Sequence, residues 1–485
     1  MSDDILIPSP PSAAGVDARG ILRFLEVIDA NPAFRPHGLV MLHNGLRIAE
    51  GWWAPYTREH GHLVYLISKS FTASAAAIAR HEGLLDLDAT VLSYFPELDA
   101  EITDPRSRSM TVAHIAAMSS GHLTDMIVPA YELDPSNVVR GFLLLPPDAE
   151  PGTVFAYNQP CTYTLAAIVQ RVTGSTLLDY LRPRLLDPLG IDEADWLEYP
   201  AGRNIGFSGL RVTTDAIARL GELYRRRGLW GGASGEQRLI DEDWIDLATR
   251  AHVATPGMGV PDWEQGYGYQ FWMSQHGYRG DGAFGQFCVV VPESGLVVAF
   301  TSETVLMQEV LDAIWDHVLP AIGAPGDPAD DLLLAERLAG LRREPLRTTG
   351  QAPDAGWSDR RFAVKSHATP PPTGDPRVVE VRVVAGTGAG VEWHLELGDA
   401  HGALEIPFAS GEWIASEPDG IPVTASGGWS ASGDLDVQVL FLDTPHTLKV
   451  HCSSSTDVAT VVWGSLPLHG AAARDQHRGR SVEIR

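Results

Sequence analysis

Apolar residues recur at helical spacing through the first two thirds of the chain and at alternate positions in the last third. Ile21, Leu22, Leu25 and Ile28 fall on one face of a helix spanning roughly Ala18 to Ile28. The apolar runs Gly38–Leu42 and Leu46–Ala49 are separated by His43-Asn44-Gly45. Asn-Gly supplies the left-handed backbone of a tight turn, so the pair predicts a hairpin. The segment SKSFTASAAAIARH, Ser68 to His81, reads as a helix stopped by Gly83. Its many Ala and Ser residues allow close backbone approach and place it in the core. Further helices are expected over Thr111–Met118, Tyr163–Val172, Asp215–Arg226 and Glu309–Val318. Strands are expected over Tyr269–Met273, Gly285–Val291 and Gly295–Ser302, the last two joined by Pro292-Glu293-Ser294. Helices with strands at both ends of the region predict an α+β layer and not repeated βαβ units.

Beyond Trp357 the period becomes two: Val391, Trp393, Leu395 and Leu397 alternate with Glu392, His394 and Glu396, and Leu435, Val437, Val439 and Phe441 repeat the theme. This predicts a small antiparallel β-barrel or sandwich over 357–468. The remaining boundaries follow from composition. Residues 1–15 read as a flexible lead, 16–322 as the first domain, 323–356 as a linker opened by GAPGDPADD and including the polar stretch Thr348–Gly356, and 469–485 as a polar tail.

The 485 residues carry a formal net charge of −26 and 44% hydrophobic side chains, enough for a large core. No basic stripe occurs, which argues against a nucleic-acid partner. Cys161, Cys288 and Cys452 are too sparse for a disulfide scaffold or a zinc ribbon and fit a reducing compartment. Met1-Ser2-Asp3-Asp4 is acidic where a secretory leader needs positive charge, and the apolar segment Phe287–Phe300 is broken by Pro292, Glu293 and Gly295. A cytoplasmic, soluble protein with no membrane partner is expected. His114 and His122 lack companions at metal spacing and read as structural, and no metal or cofactor is expected.

Only three lysines occur, Lys69, Lys365 and Lys449, and Lys69 lies on the small-residue helix. Its surroundings, Tyr65-Leu66-Ile67-Ser68-Lys69-Ser70-Phe71-Thr72, belong to a series of five pieces. The others are His81–Asp88 with Tyr94–Leu98; Thr111–Ile115 with Met118–His122; Pro151–Tyr157; and Gly280–Gln286 with Pro292-Glu293. In this order the series resembles the β-lactamase-related serine hydrolases: class C β-lactamases, DD-peptidases, D-aminopeptidases, 6-aminohexanoate-dimer hydrolases and related esterases. The resemblance covers about residues 20–320. It implies an antiparallel sheet flanked by helices, with an all-α lobe inserted, acting on an amide, ester or lactam of a small molecule or peptide.

The chemistry of such a site is intelligible in itself. A serine three residues before a lysine lies one turn away, so hydroxyl and amine touch. The amine, its pKa depressed by burial and a neighbouring tyrosine, helps take the serine proton, and backbone N–H groups hold the oxyanion. Here the position three before Lys69 is Leu66, which has no nucleophile. Ser68 and Ser70 point to other sides of the helix and Thr72 sits deeper, so none replaces it. The resemblance assigns Lys69 and Tyr157 as catalytic. Substrate contacts are expected from Leu66, from Gln159 or Asn158 through an amide, and from Asp281, Gly282 and Ala283. The last motif can be placed as Gly280-Asp281-Gly282 or Asp281-Gly282-Ala283, with no cation in it; Arg279 and His276 lie nearby. The aromatic side chains of Trp52, Trp53, Tyr56, Trp263, Tyr267, Tyr269 and Trp272 either line a cleft or, as most large aromatics do, pack. Two function classes follow: an altered enzyme using Lys69/Tyr157 acid–base chemistry without an acyl-enzyme, or a non-catalytic ligand-binding or regulatory relative. Nothing in the sequence specifies an oligomeric state.

Overall fold

The computed structural model describes residues 5–232, 235–348, 350, 356–365, 377–388 and 391–479, with the backbone alone at 232, 387–388 and 391–392. The acidic start Met1–Asp4, the linker positions 349 and 351–355, and the tail end 480–485 lie outside the described residues, as do the side chains of Val391 and Glu392. Apart from the termini, the chain divides into a unit of Met1–Gly51 with Leu63–Gly340 and a unit of Trp52–His62 with Leu341–Arg480.

The first unit is built on a six-stranded antiparallel sheet. Its strands are β1 (Pro36–His43), β2 (Leu46–Trp52), β3 (Trp272–Met273), β4 (Tyr278–Gly282), β5 (Gln286–Val291) and β6 (Leu296–Ser302), in the order β2-β1-β6-β5-β4-β3. Asn44 and Gly45 turn the first hairpin with φ of 49° and 83°, the left-handed pair that matches strand twist. Every residue of β5 and β6 is buried, because helices cover both faces; that is why these strands read as continuous apolar runs. On one face Phe24 of α1 (Ala18–Ala30) meets Phe300 edge-on at 6.0 Å. On the other lies the helix Thr214–Arg225, where a Cβ on Gly221 would stand 2.7 Å from Val297 Cγ1 and 3.0 Å from Cys288 Sγ. Glycine there lets helix and sheet touch. Residues 297 and 300 differ by an odd number, so they point to opposite faces.

Between β2 and β3 the chain forms a mostly helical lobe containing α2 (Ser68–His81) and α3 (Gln159–Thr173); a three-stranded sheet of short pieces at 62–63, 195–196 and 210–212 lies within it. Helix α2 ends where expected. Leu84 N–H donates to Ala79 O at 2.9 Å and Gly83 takes φ 73°, a glycine-terminated cap.

Four sequence expectations are corrected. The strand over Tyr269–Met273 is reduced to Trp272–Met273, because Tyr269 N–H donates to Ala248 O and Gln270, at φ 63°, to Ala116 O. The linker 323–356 contains a helix, α4 (Pro328–Ala339), whose Asp327 side chain accepts from Ala329 N–H at 2.9 Å; Asp-Pro is a helix start here and not a break. The lead 1–15 is not loose where described: Leu6 is buried, and residues 7–9 exchange backbone bonds of 2.9 Å with Arg47. The tail also packs, with Trp463 Nε1 donating to Ala471 O at 2.8 Å and Gln476 buried.

The second unit is a nine-stranded, nearly closed barrel-like sheet. Its strands are β7 (Arg360–Val364), β8 (Glu380–Gly388), β9 (Val391–Asp399), β10 (Gly402–Phe408), β11 (Ile414–Ser416), β12 (Val423–Trp429), β13 (Leu435–Phe441), β14 (Thr447–Cys452) and β15 (Val458–Trp463), in the order β10-β9-β8-β7-β15-β14-β13-β12-β11. The pairing is antiparallel except for the parallel pair β7/β15. Gly427 N–H donates to Ala409 O at 3.0 Å, drawing the two ends together. Phe362, Leu395, Leu397, Val437 and Val439 alternate inward with Trp357 and Trp429, the period-two pattern in three dimensions. The excursion Trp52–His62 belongs to this unit: Tyr56 packs on Leu440 and Leu442.

Candidate active site

From Leu63 to Ala79 every residue is buried except Leu66. The chain enters α2 through a single 3-10 turn, Tyr65–Ile67, and Tyr65 is held at φ 47°, a left-handed conformation that is costly for an aromatic residue. That turn pushes the Leu66 side chain to the one open position of the segment. Strand β4 runs close beside it: a Cβ on Gly282 would lie 2.2 Å from Val64 O and 3.2 Å from Leu66 N. Gly282 thus lets β4 press against the helix entry, and Ala283, partly exposed, follows it at the opening.

Lys69 lies one turn on from Leu66 and is 1% exposed. Its Nζ donates to Gln159 Oε1 at 2.5 Å and Thr162 Oγ1 at 3.4 Å. It rests over the rings of Tyr157 and Phe207, 5.0 and 5.5 Å from the centroids. Burial depresses the amine from 10.5 to about 7, against the opposing pull of Asp125, Cys161 and Asp281. The amine therefore meets the face of Tyr157, with Gln159 as its hydrogen-bond acceptor. The Tyr157 ring stacks on Trp272 at 5.2 Å and 25° and meets Tyr267 edge-on at 6.0 Å. Burial, with Tyr267 and Asp281 beside it, holds the phenol protonated well above its usual range.

The other expected residues separate clearly. Gln159 is brought to Lys69, and its backbone N–H donates to Asp125 at 3.0 Å. Asn158 is not available: it is fully buried, its Oδ1 accepts from Met126 N–H at 2.8 Å and its Nδ2 donates to Ser120 Oγ at 3.2 Å. It starts α3 and ties that start to the neighbouring loop, while Gln159, the next residue, faces the lysine. Asp281 is 5% exposed and paired with Arg279, Nε to Oδ2 at 3.0 Å. Burial raises its carboxyl, with Arg279 and Lys69 opposing. Arg279 presents no free cation to the opening; its Nη1 donates to Asp262 O, Met273 O and Ser274 Oγ beneath the Trp263 ring. His276 is exposed and packs against Trp315.

The neighbouring hydroxyls are all committed elsewhere. Ser68 Oγ donates to Tyr65 O at 2.5 Å, Ser70 Oγ to Gln270 O at 3.1 Å and Thr72 Oγ1 to Gly206 O at 2.8 Å, all at 0% exposure. Cys161, next to the lysine, is also no nucleophile, since burial pushes its thiol up to about 12. His114 closes a capping box with Thr111, and His122 bonds Ser120 and Leu145 O. Of the aromatics, Phe155, Tyr157, Trp263, Tyr267 and Trp272 form one cluster, whereas Tyr269 stacks on His252.

Sequence reasoning missed Thr162, which follows Gln159 by three residues on one face of α3. It also missed Gln270, whose Oε1 takes the Thr162 hydroxyl at 2.6 Å. The (i, i+3) spacing was a usable signal for the first. The second depends on contacts remote in sequence.

A family model described as Beta-lactamase matches residues 33–319, more than half of the chain. The chain is 30% identical over 165 residues to the lovastatin esterase of Penicillium rubens, a match covering 29% of this chain and 41% of the relative, so less than half of that protein is spanned. It is 25% identical over 276 residues to the 6-aminohexanoate-dimer hydrolase of Paenarthrobacter ureafaciens, covering 52% of this chain and 68% of the relative. Among solved structures, a putative beta-lactamase from Bacteroides dorei is similar with a TM-score of 0.52 at 15% identity, over 62% of this chain and 99% of that one; this likeness concerns the fold. Among the described residues no helix is long and apolar enough to cross a membrane.

Proposed function

The chain belongs to the beta-lactamase family, and from that premise we propose that it acts on the carbonyl of an amide, ester or lactam in a small molecule or peptide without forming an acyl-enzyme, using Lys69 as base and Tyr157 as acid. The observation that carries this is the buried Lys69 amine, lowered to about 7, beside a phenol raised well above its usual range. Two neighbouring groups whose pKa values are pushed apart in this way supply base and acid at one pH. With Leu66 at the opening, the attacking group is water. Neutral Lys69 takes a proton from water as its oxygen adds to the carbonyl carbon, and the oxyanion is received by the N–H groups of Leu66 and Ala283. The C–N or C–O bond then breaks as the leaving group takes a proton from Tyr157, and the Lys69 ammonium returns its proton to the phenolate through a water admitted at the opening.

The test uses p-nitrophenyl acetate and nitrocefin with the full chain. Progress curves without a burst are expected, with no fluorophosphonate adduct, and Lys69→Ala should slow turnover by about 10²–10⁴, the usual contribution of a positioned base. Leu66→Ser should introduce a burst and an adduct at position 66. An adduct on Ser68, Ser70 or Thr72 of the unaltered chain, or unchanged turnover in both Lys69→Ala and Tyr157→Phe, overturns the proposal. One observation favours a second reading, a non-catalytic ligand-binding or regulatory protein: the ammonium is bonded to Gln159 and lies over the Tyr157 ring, 5.0 Å from its centroid. That reading requires ligand binding with no turnover at all.

A further inference from the structure

We infer that Asp281 makes this opening select a substrate group that presents N–H donors, an ammonium or a primary amide, over a carboxylate. The inference rests on the proposed reading that substrate binds beside Leu66, and it names the chemistry recognised there. The alternation of β4 is its starting point. Gly280 and Gly282 face α2 and its entry, where a Cβ would lie 2.7 Å from Ser70 Oγ and 3.2 Å from Leu66 N respectively. Arg279 and Asp281 therefore share the other face. The two charges are not presented equally. Arg279 is 0% exposed, lies 4.2 Å from the Trp263 ring centroid, and has its Nη1 bonded to three groups of the surrounding loops. Asp281, the partner nearer the surface, receives only the single Nε bond from that guanidinium. Of the pair, the carboxylate is the less enclosed member, 5% against 0% exposed, and it lies near enough to Lys69 and Tyr157 to act on both.

The neighbours reinforce this. Lys69 is only partly charged near neutrality, and Asp125, exposed, adds a second carboxylate next to Gln159. Phe155, Tyr157 and Trp263 are partly exposed aromatic faces suited to an ammonium. For a primary amide, the Asp281 carboxylate accepts the N–H. A carboxylate has no proton to offer Asp281 and meets like charge.

Calorimetric titration of the full chain with phenylacetamide, 2-phenylethylammonium and phenylacetate tests this. The first two should each bind at least about tenfold more tightly than phenylacetate, a difference of about 1.4 kcal/mol. Lys69→Ala should keep that ranking, so loss of selectivity and loss of acid–base chemistry are read separately. Asp281→Asn should weaken the ammonium about tenfold and close the gap to phenylacetate, while retaining the amide. Phenylacetate binding as tightly as the nitrogen ligands, none of the three binding, or an unchanged ranking in Asp281→Asn overturns the inference. If Asp281→Asn does not fold, the ranking in the unaltered chain decides.

Discussion

Replacing Lys69 by methionine, which keeps the length of the side chain and removes its charge, should change the pH dependence of stability in a calculable way. The folded-state amine sits at about 7 and the unfolded one at 10.5. Between these values the unfolded chain binds more protons, so the stability of the native protein rises with pH across that window, and the cost of the buried ammonium is fully present below it. The depression from 10.5 to about 7 corresponds to a cost of about 5 kcal/mol at low pH. The side chain is 1% exposed, so little solvent screening reduces it. Integrated from pH 6 to pH 9, the relief is about 2–3 kcal/mol. Urea unfolding of both proteins at the two pH values should therefore show the stability of Lys69→Met relative to the native chain falling by about that amount as pH rises. The bonds to Gln159 and Thr162 and the contacts with Tyr157 and Phe207 are lost at both pH values, and the second unit is common to both proteins. These contributions shift the difference but not its slope. A difference independent of pH would show that Lys69 is solvated in the folded state, and the proposed base would lose its basis.

Two further outcomes follow from packing. Gly282→Ala places a methyl 2.2 Å from Val64 O, a contact with main chain that cannot rotate away, and should cost about 1–3 kcal/mol; Gly83→Ala meets no atom within 4 Å and should cost only the left-handed strain of about 1–2 kcal/mol. Thermal melting checks both, and a Gly282→Ala loss well under 1 kcal/mol would contradict the close approach of β4 to the helix entry. Phe362→Ala removes a fully buried ring stacked on Trp357 at 5.3 Å and should cost about 3–5 kcal/mol in urea unfolding; a loss below 1 kcal/mol would mean that this ring is not part of the barrel core.

What was legible in the sequence was whatever depends on near neighbours. The helix over Ser68–His81, the Asn44-Gly45 hairpin and the alternating strands of the last third follow from residue type and spacing alone, because turns, caps and amphipathic faces are made by residues a few positions apart. The position of Leu66 one turn before Lys69, and the absence of a hydroxyl there, are read in the same way. Local signals also misled: Asp327-Pro328 reads equally as a chain break and as the start of a helix, and only the packing of Leu334 decides for the helix.

The tertiary structure decided what the side chains do. Asn158 and Gln159 are adjacent and chemically alike, yet one is tied to Met126 and Ser120 while the other meets the lysine. Arg279 is drawn under Trp263, leaving Asp281 as the acceptor of its strand. Lys69 acquires its depressed pKa from burial among Tyr157, Phe207 and Thr162, none of them close to it in sequence. Hydrogen-bond partners and local dielectric are properties of atoms brought together across the whole chain, and residue spacing records only the part of that assembly made by neighbours.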